Sequence, residues 1–164
     1  MAGKGSAFKI SLPVAPPGQN LHPRLEGDLY KFDFSHLAIF VIDDDSAVLE
    51  SMRNVLTGWG AHVNAASSGS EVMQLIADGV EQPDIILCDY RLSGGENGID
   101  VINRLRKAIG VAVPAIIITG DTASDRVKLA HDSGFPILYK PVAHGKLRAL
   151  IGNLVRTSKM AGND

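Results

Sequence analysis

Short apolar runs alternate with helix-patterned segments along most of this chain, and that alternation restricts the folds it can adopt. Runs that are too short for a helix but suit a buried strand lie at 37–42, 62–65, 84–88, 115–118 and 137–139. Segments with apolar residues at helical spacing follow them at 46–57, between Ser68 and Gly79, and at 99–109, 123–133 and 146–156. Five strand–helix units in succession predict a doubly wound α/β domain, in which helices cover both faces of a parallel sheet.

Capping residues mark the ends of several predicted helices. Asp45 or Ser46 is expected to cap the first helix at its start, and Gly58 is expected to end it. Ser68 and Glu71 have the spacing of a capping box at the start of the second helix. These signals support the boundaries that the apolar periodicity indicates.

The beginning of the chain has a different composition from the rest. Prolines and glycines are concentrated between residues 13 and 28, where few apolar residues are spaced to form a face. Because proline lacks a backbone N–H and favours extended chain, we interpret this stretch as a linker. The predicted division is an N-terminal segment at 1–13, a linker at 14–36, a folded domain at 37–158 and a tail at 159–164.

Polar residues follow the predicted strands at the point where each strand ends. They are Asp43, Asp44 and Asp45 after the first strand, Asp89 after the third, Thr119 after the fourth and Lys140 after the fifth. The carboxyl ends of parallel strands meet at one edge of a sheet, where ligands bind. Two carboxylates about 4 Å apart repel by roughly 1–4 kcal/mol, so such a cluster needs a cation or a shared proton. All-oxygen ligands without His or Cys suit Mg²⁺, with a phosphate supplying further oxygens.

These residue types together fit phosphoryl transfer to a carboxylate. Asp89 can act as the nucleophile and form an aspartyl phosphate. The Lys140 ammonium can neutralise one phosphoryl oxygen while the Thr119 hydroxyl donates to another, and Gly120 leaves room beside the backbone. Taken singly, each residue would more often be a helix cap or a solvated surface group, so the combination carries the interpretation.

Four motifs of the chain, taken in order, resemble those of response-regulator receiver domains, the phosphoacceptor domains of two-component signalling. They are VIDDDS at 41–46, ILCDYR at 86–91, IIITG at 116–120 and YKP at 139–141. The resemblance covers about Leu37 to Arg156 and implies a flavodoxin-like sheet with strand order 2-1-3-4-5. It assigns the acidic pair to Asp43 and Asp44, the phosphoacceptor to Asp89, the hydroxyl to Thr119 and the lysine to Lys140.

The resemblance also implies a magnesium site and a phosphoryl donor. Asp44, Asp89 and the main-chain carbonyl of Arg91 would ligate Mg²⁺ directly, and Asp43 would act through water. The Lys140–Pro141 peptide bond would be cis. The donor would be a histidine kinase or a histidine phosphotransfer domain, and receivers of this family often form homodimers.

The chain differs from the family pattern in two places. The family usually has Met-Pro shortly after the acceptor, whereas this chain has Leu92 and Ser93 followed by two glycines, in a loop one residue longer. Ile137 stands where the family usually has its switch aromatic, three positions before the lysine. The resemblance therefore predicts phosphorylation but a different readout of it.

The first residues resemble a different domain. GKGSAFKISLP at 3–13 is similar to the end of a histidine-kinase ATPase domain, where a glycine-rich turn precedes a closing strand. This resemblance implies that the receiver follows a kinase module in a hybrid sensor histidine kinase, so the parent chain would itself be a histidine kinase.

Charge and hydropathy argue against several other functions. A net charge of −2 and a pI near 6.2 give no reason to expect nucleic acid as a partner. No apolar run approaches the roughly 20 residues of a membrane span, and no secretory signal precedes the domain, so we expect a cytoplasmic protein without direct membrane contact. Cys88 lies inside an apolar run, which favours a buried, inert thiol.

Three alternative functions share parts of this pattern. A haloacid-dehalogenase-like phosphatase would use Asp43 as nucleophile and Asp45 as acid, and GDTASD at 120–125 fits its acidic motif, but that motif should follow Lys140. A flavodoxin-like binder needs a phosphate-cradling first loop, where the three aspartates would repel phosphate. A receiver that docks without being phosphorylated is the third alternative.

Overall fold

The computed structural model describes residues 32–120 and 132–161. Within these ranges the strands are β1 (Ala38–Ile42), β2 (His62–Ala66), β3 (Ile85–Asp89), β4 (Ala115–Thr119) and β5 (Ile137–Tyr139). The helices are α1 (Ser46–Gly58), α2 (Gly69–Ala77), α3 (Gly98–Ile109) and α4 (His144–Ala161), with a 3₁₀ turn (Ser93–Gly95) between β3 and α3. The helix predicted at 123–133 lies almost entirely outside the described residues.

The strands form one parallel sheet in the order β2-β1-β3-β4-β5, which confirms the predicted doubly wound fold. The register brings the strand ends level with one another. Ile42 is paired with Cys88, so Asp43, just beyond β1, and Asp89, the last residue of β3, lie side by side at this edge. Thr119 is paired with Tyr139, which places Lys140 one step beyond it at the same edge.

Alternate strand residues pack into two cores, one on each face of the sheet. Helices α2 and α3 cover the first core, which includes Phe40, Ile42, Val72, Ile86, Val101, Leu105 and Ile117. Helices α1 and α4 cover the second core, which includes Ile39, Val41, Met52, Leu56, Leu87, Ile116, Leu147 and Ile151. Because both faces are buried, β1, β3 and β4 read as continuous apolar runs in the sequence.

The helix ends follow the predicted capping chemistry with two corrections. Asp45 caps α1 by accepting from the backbone N–H of Ala47 at 2.8 Å. Gly58 was predicted to be the stop just after that helix, but it is the last helical residue, and the left-handed conformation falls on Gly60 (φ 97°). At α2 the Ser68 hydroxyl accepts from the N–H of Glu71, but the Glu71 carboxylate reaches back to Ser67, so the box is displaced by one residue.

The short segment before β1 packs against the second core. Phe34 is 1% exposed, its ring lies 5.3 Å from that of Trp59, and the guanidinium of Arg148 stacks over it at 4.6 Å. The Cβ of an alanine at 152, in place of Gly152, would lie 3.2 Å from the Phe32 ring, so helix and segment are in close contact. Residues 32–36, assigned to the linker in the predicted division, are therefore packed onto the domain, while the rest of that linker lies outside the described residues.

Replacing Phe34 by Ala should lower the free energy of unfolding by about 3 kcal/mol, because it removes a fully buried ring and leaves a cavity beneath Arg148. Urea unfolding followed by far-ultraviolet circular dichroism measures the change. Val111, which is 57% exposed, gives the matched control, and Val111→Ala should change stability by less than about 0.5 kcal/mol. A Phe34 variant as stable as this control would mean that the segment does not stabilise the domain.

In the part of the chain that the structure describes, none of the helices combines the length and apolar character that crossing a bilayer requires.

Candidate functional site

Two buried carboxylates and one ammonium meet where β1, β3 and β5 end. The Nζ atom of Lys140 lies 2.7 Å from Oδ2 of Asp43 and 2.6 Å from Oδ1 of Asp89. Asp43 is 2% exposed and Asp89 is 7% exposed. The predicted acceptor and the predicted lysine are thus in direct contact, and Asp43 shares the same ammonium.

The second oxygen of each carboxylate is held by a backbone N–H. Oδ1 of Asp43 accepts from the N–H of Asp45 at 3.0 Å, and Oδ2 of Asp89 accepts from the N–H of Arg91 at 2.7 Å. Each donor lies two residues beyond the carboxylate that it contacts, where the chain has left the strand. This arrangement fixes each carboxylate plane through its own loop and leaves one oxygen of each directed at Lys140.

Burial and hydrogen bonding change the pKa values of Asp43 and Lys140. Burial raises the pKa of Asp43 above its usual range, and the hydrogen bonds from Lys140 and from the N–H of Asp45 oppose that rise without cancelling it. Burial alone would lower the pKa of Lys140, but its hydrogen bonds to Asp43 and Asp89 raise it. An ion pair alone would lower the pKa of a carboxyl group. At Asp43 desolvation outweighs that effect, because the side chain of Asp43 is only 3% exposed, whereas that of Lys140 is 31% exposed.

An open cleft of about 300 Å³ lies beside this group and is lined by Asp89, Arg91, Thr119, Gly120 and Lys140. Thr119 is buried at the end of β4, and its carbonyl accepts from the N–H of Lys140 at 2.8 Å. A small, solvent-accessible ligand in the cleft would therefore meet a carboxylate, a hydroxyl residue and an ammonium.

Asp44 occupies a different environment from its neighbour Asp43. Its side chain is exposed, and its Oδ2 accepts a hydrogen bond from the Ser93 hydroxyl at 2.5 Å. Ser93 belongs to the loop that follows β3, so this contact joins the loops after β1 and β3 above the sheet edge.

The donor groups at this edge fit a hard divalent cation rather than a transition metal. The available ligands are the carboxylate oxygens of Asp44 and Asp89, with main-chain oxygens in the β3–α3 loop, and such oxygens suit Mg²⁺. Within residues 32–120 and 132–161, no three His, Cys, Asp or Glu side chains converge as a metal-binding group.

The other residues singled out in the sequence also have definite surroundings. The Lys140–Pro141 peptide bond is cis, as the resemblance implies. Cys88 is fully buried, and burial raises the pKa of its thiol, with the carboxylate of Asp89 adding to the effect, so the thiol is inert. Ile137 lies half-buried against the first core, whereas Tyr139 is 46% exposed at the edge of the sheet.

Two residues near the site, Gly98 and Ser93, have contacts that the sequence did not predict. Gly98, the first residue of α3, lies directly against the carbonyl of Asp89; a Cβ there would approach that oxygen to 2.1 Å. Ser93 contacts Asp44 across 49 residues of chain. A glycine at a predicted helix start could have indicated close packing, but no local pattern reports a contact over that separation.

Replacing Lys140 by Met should destabilise the protein at neutral pH by about 1–3 kcal/mol, because it leaves Asp43 and Asp89 buried side by side without a cation. The folded pKa of Asp43, already raised, should rise further. A carboxyl whose folded pKa exceeds its unfolded pKa gains stability as the pH falls through the folded value, and the gain is complete below about 4. The deficit of the variant relative to the parent should therefore shrink on acidification.

Thermal unfolding of both proteins between neutral and mildly acidic pH measures this difference. Lys146→Met, on the exposed side of α4, is the matched control and should follow the parent at every pH. A Lys140 variant whose deficit stays constant across the series would contradict the charge arrangement described above.

The chain is similar in sequence to known response regulators. The family model of the response regulator receiver domain matches residues 39–152. Response regulator MprA of Mycobacterium ulcerans is 32% identical over 127 residues, which cover 77% of this chain and 53% of that protein. Response regulator MprA of Mycobacterium sp. (strain KMS) is 35% identical over 128 residues, covering 77% of this chain and 54% of that protein. The chain thus spans about half the length of the curated relatives it matches.

The fold is similar to solved receiver domains. A response regulator receiver domain protein from Clostridium thermocellum is 28% identical with a TM-score of 0.67, covering 76% of this chain and 98% of that chain. A CheY-like receiver domain protein from Methanospirillum hungatei shares the fold at 23% identity and a TM-score of 0.65, with the same coverage of 76% and 98%. Neither the phosphatase nor the flavodoxin-like alternative finds support in these similarities.

Proposed function

Because this chain belongs to the response-regulator receiver family, we propose that Asp89 accepts a phosphoryl group from a phosphohistidine of a signalling partner. The observation that carries the proposal is the position of Asp89, whose carboxylate faces an open cleft and lies 2.6 Å from the ammonium of Lys140. An ammonium in contact with the attacking carboxylate is also placed to neutralise charge on the incoming group. Asp43 and Asp44, Thr119 and Lys140 are the supporting residues.

The proposed reaction is a direct transfer between nitrogen and oxygen. One oxygen of the Asp89 carboxylate forms a bond to phosphorus, the bond from phosphorus to the donor imidazole nitrogen breaks, and the imidazole keeps that electron pair. Lys140 can then exchange part of its contact with Asp43 and Asp89 for a phosphoryl oxygen. The Thr119 hydroxyl donates to a second oxygen, and Gly120 keeps the cleft open on that side.

The proposed cofactor is Mg²⁺. Asp44, Asp89 and the main-chain carbonyl of Arg91 would hold it, and Asp43 would support it through water. When bound, the cation supplies charge neutralisation for the phosphoryl oxygens and for the carboxylates that flank them. Two neighbouring buried carboxylates, those of Asp43 and Asp89, share the single ammonium of Lys140, and this geometry supports the assignment because the group fits one further positive charge.

The proposed partners and context follow from the receiver chemistry. A histidine kinase or a histidine phosphotransfer domain would donate the phosphoryl group. Two copies of this chain would form a homodimer. The similarity of residues 3–13 to the end of a kinase ATPase domain supports a hybrid sensor kinase as the parent protein, with the receiver on its cytoplasmic side.

Phosphorylation by acetyl phosphate tests the function without a known donor. With Mg²⁺ present, intact-protein mass spectrometry should show the addition of one phosphoryl group, and hydroxylamine should remove it because acyl phosphates are sensitive to that reagent. Chelation of Mg²⁺ before acetyl phosphate is added should prevent formation of the adduct. A chain that takes up no phosphoryl group from acetyl phosphate or from a phosphorylated kinase, while still binding that kinase, would support the docking receiver instead.

A further inference from the structure

The loop that follows the proposed acceptor is closed on itself and attached to the core. The N–H of Leu92 donates to the carbonyl of Glu96 at 3.0 Å, and Arg91 pairs with Asn97 in an antiparallel bridge. Leu92 is 5% exposed and packs in the first core. The base of the loop is therefore fixed relative to β3.

The tip of this loop turns back over the edge of the sheet. Gly94 and Gly95 both adopt left-handed conformations, with φ angles of 74° and 79°, which side chains with a Cβ rarely adopt. Ser93 begins the turn, and its hydroxyl donates to Oδ2 of Asp44 at 2.5 Å. The turn that contains the glycine pair thus begins at a serine whose hydroxyl contacts the carboxylate of Asp44, the residue that follows Asp43.

We propose that Ser93 is a positioning residue for the cation site: its hydroxyl restrains the Asp44 carboxylate through Oδ2 and leaves Oδ1 as the oxygen that Asp44 would offer to a cation. This inference rests on the proposed function, since the orientation of Asp44 matters to the chemistry when a divalent cation binds there. The family usually has Met-Pro where this chain has Leu92 and Ser93, and proline has no hydroxyl to make this contact.

The physical reason lies in the exposure of Asp44. An exposed aspartate samples several rotamers, and ordering it to bind a cation costs conformational entropy. A hydrogen bond to one carboxylate oxygen reduces that cost before the cation arrives. A carboxylate has about four lone-pair positions, so accepting from Ser93 at Oδ2 leaves Oδ1 free to bind a cation. Groups that orient metal ligands in this way typically contribute about 10–100-fold to affinity.

Direct Mg²⁺ binding to the unphosphorylated full chain, measured by isothermal titration calorimetry, tests this role apart from phosphorylation. Ser93→Ala should weaken Mg²⁺ binding by about 3–10-fold, which is at or below the lower limit of the usual range because the site is open to water. Ser93→Thr keeps the hydroxyl and should stay within about twofold of the parent. Ser158→Ala, on the exposed face of α4, is the matched control and should leave affinity unchanged. Thermal unfolding without Mg²⁺ should be the same for all four proteins.

The outcomes separate this inference from the proposed function. Weaker binding by Ser93→Ala that Ser93→Thr restores supports the positioning role. Binding by Ser93→Ala that equals or exceeds that of the parent overturns it, and leaves the proposed acceptor chemistry intact. A parent protein that binds no Mg²⁺ at millimolar concentration overturns the cation part of the proposed function, and the role of Ser93 with it.

Discussion

Asp89→Asn is expected to take up no phosphoryl group from acetyl phosphate or from a phosphohistidine donor. The amide has no nucleophilic carboxylate oxygen, so the oxygen–phosphorus bond cannot form, while the side chain keeps its size. The carbonyl oxygen of the amide can still accept from the N–H of Arg91 or from Lys140, which contact the two carboxylate oxygens in the parent at 2.7 and 2.6 Å. The substitution should therefore abolish the reaction without unfolding the site.

Stability measurements distinguish lost chemistry from lost structure. Asp89→Asn removes one of two neighbouring buried negative charges, so its melting temperature should equal or exceed that of the parent. Asp100→Asn, in the exposed first turn of α3, makes the same chemical change away from the cleft and should retain full uptake. A hydroxylamine-sensitive adduct on the Asp89 variant would show that the acceptor is another carboxylate.

Gly98→Ala should cause the largest loss of stability among single-methyl additions near the site, about 2–4 kcal/mol. An added Cβ would lie 2.1 Å from the carbonyl oxygen of Asp89 and 3.0 Å from Sγ of Cys88. Both contacts involve β3, which carries the proposed acceptor, and the N–H of Gly98 already donates to the carbonyl of Tyr90 at 3.0 Å. The helix must move away from β3, so phosphoryl uptake should fall as well.

Gly58→Ala provides the matched control for this clash. Gly58 is helical, at the end of α1, and no atom lies within 4 Å of where its Cβ would be. Alanine there should raise the free energy of unfolding by about 0.5–1 kcal/mol, because it has the higher helix propensity. Urea unfolding of both variants gives the comparison. If Gly98→Ala were as stable as the parent, the close approach of α3 to β3 would not be a constraint on the sequence.

The architecture was predictable because its signals are local. Strands buried on both faces have to be apolar throughout, and that requirement made β1, β3 and β4 visible as short runs. The rule that the carboxyl ends of parallel strands meet at one edge of the sheet then predicted that Asp43, Asp89 and Lys140 lie close together. The register confirms that these three residues meet, while their roles in catalysis stay predictions.

Features that depend on contacts between residues far apart in the chain could not be predicted from local sequence patterns. Phe34 ends a short alternation of aromatic and polar residues at 30–34, but that pattern does not show what the ring packs against, and its burial depends on Trp59 and Arg148. The hydrogen bond of Ser93 depends on a turn that two glycines shape and on a partner 49 residues away. The left-handed residue after α1 was predicted at Gly58 and lies two residues later, at Gly60; either glycine can adopt that conformation, and no local pattern chooses between them.

The contact between Phe34 and Trp59 also means that tryptophan fluorescence can report whether the segment before β1 is packed on the domain. The chain has one tryptophan, Trp59, so its emission has a single origin. Helix α1 has 13 residues and spans about 20 Å, which separates this indole from the acidic cluster at the other end of the helix. Emission should therefore respond little to cations, and should instead shift whenever the ring of Phe34 or the guanidinium of Arg148 withdraws. Fluorescence titrations of the unlabelled protein would thus follow attachment of the chain that enters the domain, independently of events at the phosphoryl cleft.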